Sequence, residues 1–189
     1  STQGYSSAAS DVYKRQAQTP VWKMLLVMTV GFTLLPVPVS LDVRGWSEMH
    51  PLNGPAWSLF FEYVANILYA MLIRKFTSRW LAVLVFLAGC ALIHQCYTQG
   101  NNIGGWTLDA EQCRVGLTRL MFPFFGGLLL FRLCKPGRIR HGFWWCSLLL
   151  AGTLAAPHVG GAEHFRLNGL YDAFCIIVIF PCLLYTSDA

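Results

Sequence analysis

The chain has 189 residues, of which 55% are apolar and only 12% are charged, and its formal net charge is +5. A soluble domain of this length cannot bury so much apolar surface, so the composition excludes a soluble globular protein. A net charge of this size is explained by the basic loops of a membrane protein and gives no reason to expect a nucleic-acid partner.

Apolar runs long enough to cross about 30 Å of hydrocarbon recur along the chain, separated by short polar or Gly/Pro breaks. They predict an all-α fold, a polytopic integral membrane bundle of about six transmembrane helices. We expect residues 21–185 to form this transmembrane domain, after a polar and partly non-native tail over 1–20 and before a non-native end over 186–189. The predicted spans are Val21 to Val39, Pro55 to Ile73, Trp80 to Tyr97, Arg114 to Leu133, Gly142 to Pro157 and Leu170 to Tyr185.

The basic residues predict the orientation of these spans. Lys and Arg concentrate before the first span and in every second loop, and cytoplasmic loops retain such residues. We therefore expect the amino-terminal side to be cytoplasmic, with the loops around His50, Trp106 and His164 outside a bacterial inner membrane. The residues that set this pattern are Lys14, Arg15, Lys23, Arg74, Lys75, Arg79, Lys135, Arg138 and Arg140.

Glu62 is the first candidate for a functional residue, because a carboxylate within a membrane helix is costly and usually marks a site. Helical spacing places Ser58, Glu62, Asn66 and Tyr69 on one face, which we expect to point into the bundle. The alternative for Ser58 and Asn66 is structural, since such side chains also hydrogen-bond neighbouring membrane helices.

Arg119 is the second candidate, inside the fourth predicted span and five residues after Arg114. A buried ion pair with Glu62 would be structural and would fix the register of two helices. A functional Arg119 would bind a phosphate or carboxylate group, which suits its planar fork. Both interpretations stay open, while Arg114 is explained by snorkelling at the outer interface. His94 and Asp172, near predicted span ends, are interpreted as solvated boundary residues.

Two segments resemble a known family. Residues 51–66, PLNGPAWSLFFEYVAN, resemble the WSL..E signature of the membrane acyltransferase-3 family, the bacterial O-acyltransferases of surface polysaccharides. Residues 114–133, RVGLTRLMFPFFGGLLLFRL, are similar to its arginine-bearing downstream helix. The resemblance extends from about Val21 to Leu133 and implies transfer of an acyl group, such as acetyl, from cytoplasmic acyl-CoA to a hydroxyl of a lipid-linked or cell-surface glycan.

The resemblance also implies roles for particular residues. Glu62 would orient or charge-balance a histidine base, and Arg119 would hold a CoA phosphate or the oxyanion. The family's histidine base is expected upstream of the first span, where this chain has none, so we expect an internal fragment that is inactive alone. The implied partners are the bilayer, acyl-CoA as donor substrate and the glycan. The substrate-binding candidates are Asn53, Trp57, Ser58, Asn66 and Arg114.

Other classes remain open. An intramembrane Glu62 and Arg119 would also serve the path of a transporter or flippase of an envelope precursor, or would lock the helices of a non-catalytic scaffold. The Trp-Ser-Leu and Glu arrangement favours the enzyme. The cysteines form no CxxC pair and no Cys/His metal spacing, so neither a metal nor a bound cofactor is predicted.

Overall fold

The computed structural model describes residues 19–72, 77–134, 141–156 and 164–187. Within these ranges all regular secondary structure is helical, as the composition predicts. The helices are α1 (Val21–Phe32), a 3₁₀ turn (Val39–Leu41), α2 (Ala56–Leu72), α3 (Ser78–Gln99), α4 (Ala110–Leu133), α5 (Gly142–Ala155), α6 (Phe165–Phe174), a π-helical turn (Cys175–Ile179) and α7 (Phe180–Ser187).

Three helical segments in the described part of the chain are long and apolar enough to cross a membrane: Ser78–Gln99, Ala110–Leu133 and Phe165–Leu184. They correspond to the third, fourth and sixth predicted spans. The shorter apolar helices Val21–Phe32 and Gly142–Ala155 correspond to the first and fifth, and α2 to the second. A membrane helix bundle is therefore supported, and the number of six spans stays a prediction.

The first predicted span is too long at its carboxyl end. Helix α1 has 12 residues and ends at Phe32, although apolar residues continue to Val39. Leu34 has a positive φ of 59°, and Pro36 and Pro38 follow it. A proline supplies no backbone N–H and disfavours helical geometry in the residue before it, so the helix cannot continue through this segment.

The last predicted span begins too late. The helix starts at Phe165, five residues before the predicted start at Leu170, so Asp172 lies inside it and is half-buried rather than solvated at a boundary. The following turn widens, since the N–H of Phe180 donates to the carbonyl of Cys175, five residues earlier. Pro181 comes next and has no N–H to continue the ordinary pattern.

The chain divides into two compact units, and each contains part of α2 and of α4. Unit 1 comprises Ser1–Asn66 with Gly104–Leu117, and unit 2 comprises Ile67–Ile103 with Thr118–Ala189. In unit 1 the buried side chains of Val27, Val37 and Val43 pack α1 against the loop that follows it. The backbone of this loop is fixed by hydrogen bonds, from Val37 N to the Met49 carbonyl and from Met49 N to the Trp106 carbonyl, both 2.8 Å long.

In unit 2 the core joins α3, α4 and α6. Leu92, Cys96 and Ala173 are buried together, and partly buried hydrophobic side chains from α4 and the π-helical turn, Phe122, Ile176 and Ile177, pack against them. Helices α3 and α6 approach so closely that a Cβ atom on Gly169 would collide with the Cys96 carbonyl oxygen. Close backbone contact at small residues is the usual way in which membrane helices pack.

Candidate functional site

Helix α2 carries the first group of predicted site residues, and its start is set by the residues before it. The N–H of Ala56 donates to the Asn53 carbonyl at 2.9 Å, and Pro55 directly precedes the helix. Proline suits this place because its fixed φ and missing N–H match a helix start. The predicted helix is confirmed, and Asn53, one of the substrate-binding candidates, is exposed in the turn before it.

One face of α2 is packed within unit 1. Phe61 and Ala65 are buried and Trp57 is half-buried, at intervals of four residues that share a helix face. Trp57 and Phe61 meet edge to face, with ring centroids 6.2 Å apart. Gly105, at a φ of 103°, lies against Trp57, and a Cβ atom there would be 2.9 Å from the indole ring and also 2.9 Å from Gly116 Cα. Only glycine fits both this backbone conformation and this space, so Trp57 is held in a defined position.

The polar stripe lies on another face of α2. The Ser58 hydroxyl donates to the Pro55 carbonyl at 3.0 Å, and the Asn66 amide donates to the Glu62 carbonyl at 2.8 Å. These bonds remain within the helix and its first turn, so neither one joins two helices. The side chains of Glu62 and Asn66 are exposed in the described part of the chain, and Ser58 is half-buried. The expected roles of Glu62, Ser58 and Asn66 toward a substrate stay predictions.

The loop before α2 holds a charged pair that the sequence did not single out. Arg44 Nη1 lies 3.3 Å from Glu48 Oε2 and 3.4 Å from the Pro51 carbonyl oxygen, and its guanidinium stacks 4.3 Å from the Trp46 ring centre. Gly54 lies against the Glu48 carboxylate. These contacts fix the turn that leads into α2.

His50, in the same loop, is buried rather than solvated. It is 4% exposed, and its Nε2 lies 3.1 Å from the Leu34 carbonyl oxygen. A carbonyl oxygen only accepts, so Nε2 carries the hydrogen of this bond. Nδ1 has no hydrogen-bond partner among the residues that the structure describes. The ring also lies 6.2 Å from that of Phe60.

The second group of charged residues lies within unit 2. Arg119 of α4 and Asp172 of α6 are both half-buried, and the charges of both act on the buried Cys96 thiol of α3. Three helices therefore bring polar groups toward one part of the core. Pro123 has no N–H to donate to the Arg119 carbonyl four residues earlier, so one backbone hydrogen bond of α4 is missing at Arg119. Arg114, by contrast, has an exposed side chain.

Directly before Cys96, α3 carries a buried neutral polar residue that the charge pattern does not single out. Gln95 is 1% exposed, and neither Nε2 nor Oε1 of its amide has a hydrogen-bond partner in the described part of the chain. An unpaired buried amide costs roughly 1–3 kcal/mol in proteins. The sequence does contain a signal for Gln95, since an amide within the apolar span Trp80 to Tyr97 is unusual. It is easily missed because the amide carries no charge.

Tyr69, the last member of the predicted stripe, has a separate contact in unit 2. Its hydroxyl accepts a hydrogen bond from Arg132 Nη2 at 3.2 Å, which joins the end of α2 to the end of α4. Among the described residues, no group of three or more His, Cys, Asp or Glu side chains is arranged to hold a metal ion. The ion pair between Glu62 and Arg119 stays a prediction, since these residues belong to different units.

Comparison with known families gives one match, and it covers most of the chain. A family model described as an acyltransferase domain matches residues 12–187, which include α2 with Glu62 and α4 with Arg119. No curated protein and no solved structure matches the chain. The match confirms the family that the two sequence segments resemble.

Proposed function

Because the chain belongs to the acyltransferase-3 family, we propose that it transfers an acyl group, such as acetyl, from cytoplasmic acyl-CoA to a hydroxyl of a cell-surface or lipid-linked glycan. The observation that carries this proposal is the family match over residues 12–187, together with two opposite charges, Glu62 and Arg119, on apolar helices inside the matched region. Charges in such positions are retained where they serve a site.

Transfer of an acyl group from a thioester needs two kinds of assistance. A base must remove the proton of the attacking hydroxyl, and positive charge or hydrogen-bond donors must stabilise the oxyanion that forms at the acyl carbon. We assign Glu62 to the first task, as the carboxylate that orients or charge-balances a histidine base. Arg119 takes the second task or binds a phosphate of CoA, since its guanidinium presents several donors in one plane.

The surroundings of Glu62 and of Trp57 support this assignment. The carboxylate of Glu62 is exposed in the described part of the chain and is therefore accessible to a reacting group, and the Asn66 amide bonds to the Glu62 backbone carbonyl. Trp57, fixed against Gly105, is one residue from Ser58 and gives the start of α2 a rigid wall for a sugar or an acyl chain. Asn53, Asn66 and Arg114 complete the proposed substrate-binding set.

The membrane sides of the reaction follow from the basic loops. Arg74, Lys75, Lys135, Arg138 and Arg140, although outside the described residues, favour a cytoplasmic position for both loops. In the proposed orientation the enzyme lies in a bacterial inner membrane, acyl-CoA approaches from the cytoplasm, and the glycan is modified on the other side. The family match favours this enzyme over a transporter or flippase that would use the same charges.

The test is a Glu62→Gln substitution in the full-length protein, expressed in cells that lack the chromosomal copy. We expect glycan acylation, measured by mass spectrometry of the isolated glycan, to fall by about 100-fold or more, since the carboxylate that supports the base is lost. The protein should still insert into the membrane in normal amount.

The matched control is Glu111→Gln, which makes the same chemical change at an exposed glutamate in the first turn of α4 and should leave acylation unchanged. Normal acylation by the Glu62→Gln variant would remove Glu62 from the mechanism. Absence of any glycan acylation by the unmodified full-length protein would overturn the proposed function itself.

A further inference from the structure

The register of α3 against α4 shows where Gln95 lies relative to Arg119. A Cβ atom on Gly126 would lie 3.9 Å from Val85 Cγ1, and one on Gly89 would lie 3.3 Å from the Phe122 ring. A step of four residues along α3 thus matches a step of four residues back along α4, which is an antiparallel pairing. Three residues further, the same register places Arg119 level with Leu92, and Gln95 is one turn beyond Leu92 on the buried face of α3.

Helix α6 brings a third group to this level. Gly169 lies against the Cys96 carbonyl, and Ala173, next to Asp172, is packed with Leu92 and Cys96. Arg119 and Asp172 both lie within electrostatic range of the Cys96 thiol, in agreement with this register. The buried face of α3 is apolar around the Gln95 amide, with Leu81, Ala88, Gly89, Leu92 and Cys96 as its other buried residues.

The hydrogen-bonding capacity of Gln95 defines what would bind there. Its amide offers donors at Nε2 and an acceptor at Oε1, and both atoms are enclosed without a partner among the described residues. A phosphate or an oxyanion only accepts and would leave Oε1 unpaired. Two neighbouring hydroxyl groups satisfy both atoms, since one donates to Oε1 and the other accepts from Nε2. Water offers the same chemistry in their absence.

We propose that Gln95 binds neighbouring hydroxyl groups of the sugar acceptor in the core between α3, α4 and α6, about one helical turn beyond the level of Arg119. This inference rests on the proposed acyl transfer and adds to it a residue that selects the acceptor. Among the described residues the amide has no partner, because its partner arrives with the substrate. Binding of the acceptor hydroxyl groups also explains why a helix face that is otherwise apolar carries an amide.

The experiment compares Gln95→Met in the full-length, detergent-solubilised protein with the unmodified protein. Methionine matches the size of glutamine and removes both polar atoms, so the unfolding temperature should be unchanged or higher. We expect the KM for the glycan acceptor to rise by about tenfold or more, since hydrogen bonds to the hydroxyl groups are lost, while the KM for acyl-CoA stays the same. Gln99→Met, the same change at the half-buried end of α3, is the matched control and should alter neither constant.

An unchanged acceptor KM for Gln95→Met overturns the inference, whatever happens to the unfolding temperature. An unchanged acceptor KM with a higher unfolding temperature means that the amide was merely unpaired, and an unchanged KM with a lower one means that it holds a structural water. If Gln95→Met fails to insert, Gln95→Asn, which keeps a shortened amide, decides: a smaller rise in acceptor KM supports the proposal and an unaltered KM overturns it. Because the unmodified protein is assayed in parallel, its lack of acylation would identify failure of the proposed function instead.

Discussion

The two units support their charged residues in different ways. In unit 1, Glu62 lies on an exposed face of α2, and the neighbouring polar side chains are hydrogen-bonded within that helix or to the residue directly before it. In unit 2, Arg119 lies near polar groups of two further helices, in a core held by close helix contacts. The loss of a charge within an apolar helix therefore has different consequences in the two units. Removal of Glu62 should affect chemistry alone, whereas changes around Arg119 should affect both chemistry and stability.

The largest effect on stability should come from Gly169→Ala in unit 2. The added Cβ would meet the Cys96 carbonyl, a backbone atom that cannot move aside cheaply. We expect a loss of about 3 kcal/mol, near the upper end for overpacking, seen as a lower unfolding temperature of the detergent-solubilised protein by circular dichroism. Gly152→Ala is the control, because a Cβ atom there has no neighbour within 4 Å among the described residues. Equal stability of the two variants would contradict the close crossing of α3 and α6.

A smaller effect is expected from Arg119→Leu. Leucine loses the electrostatic interactions of the half-buried guanidinium, at a cost of about 1–2 kcal/mol. The same assay measures it, and glycan acylation should be lost as well. Arg114→Leu, at an exposed position of the same helix, should leave stability within about 0.5 kcal/mol of the unmodified protein. If both arginines tolerate the change equally, the contrast between the units disappears.

The smallest effect is expected in unit 1, from Asn66→Ala. Its amide bonds to the carbonyl of Glu62 in the same helix and is exposed, so its removal should alter stability by less than about 0.5 kcal/mol. Thermal unfolding again provides the measurement, with Ser58→Ala as a parallel case. A loss well above 1 kcal/mol for either variant would show that these side chains join helices after all, as the structural interpretation of the stripe requires.

Much of the helical pattern could be predicted because hydrocarbon leaves the backbone little choice. Helices satisfy every backbone group internally, so long apolar runs such as Trp80 to Tyr97 become helices wherever they pack. The ends were harder to predict. At α1, Pro36 and Pro38 indicate an earlier helix end, but the prediction gave more weight to the apolar residues that continue to Val39. At α6 the extra turn contains Arg166, whose guanidinium stacks 5.1 Å from the Tyr97 ring, a contact that no local pattern reveals.

The candidate site was predicted only in part. Glu62 and Arg119 could be found from the sequence, because a charge in an apolar run stands out whatever its neighbours are. Gln95 could not be selected as a candidate in this way. Whether a buried amide indicates a binding site depends on whether it is enclosed and whether it has hydrogen-bond partners, and the sequence shows neither. His50 is a similar case: the sequence predicts only that its loop lies outside the membrane, and the contacts with Leu34 and Phe60 bury its side chain.

The sequence by itself determined the class of this protein, a helical membrane acyltransferase. Its apolar composition indicates a lipid environment, and the Trp-Ser-Leu and Glu segment indicates the family. Only the tertiary structure decided which side chains share a neighbourhood. Arg119, Cys96 and Asp172 are far apart in the chain and come together through glycine contacts and helix register. Periodicity along one helix defines a face, but the partner of that face depends on packing between helices, which no single segment encodes.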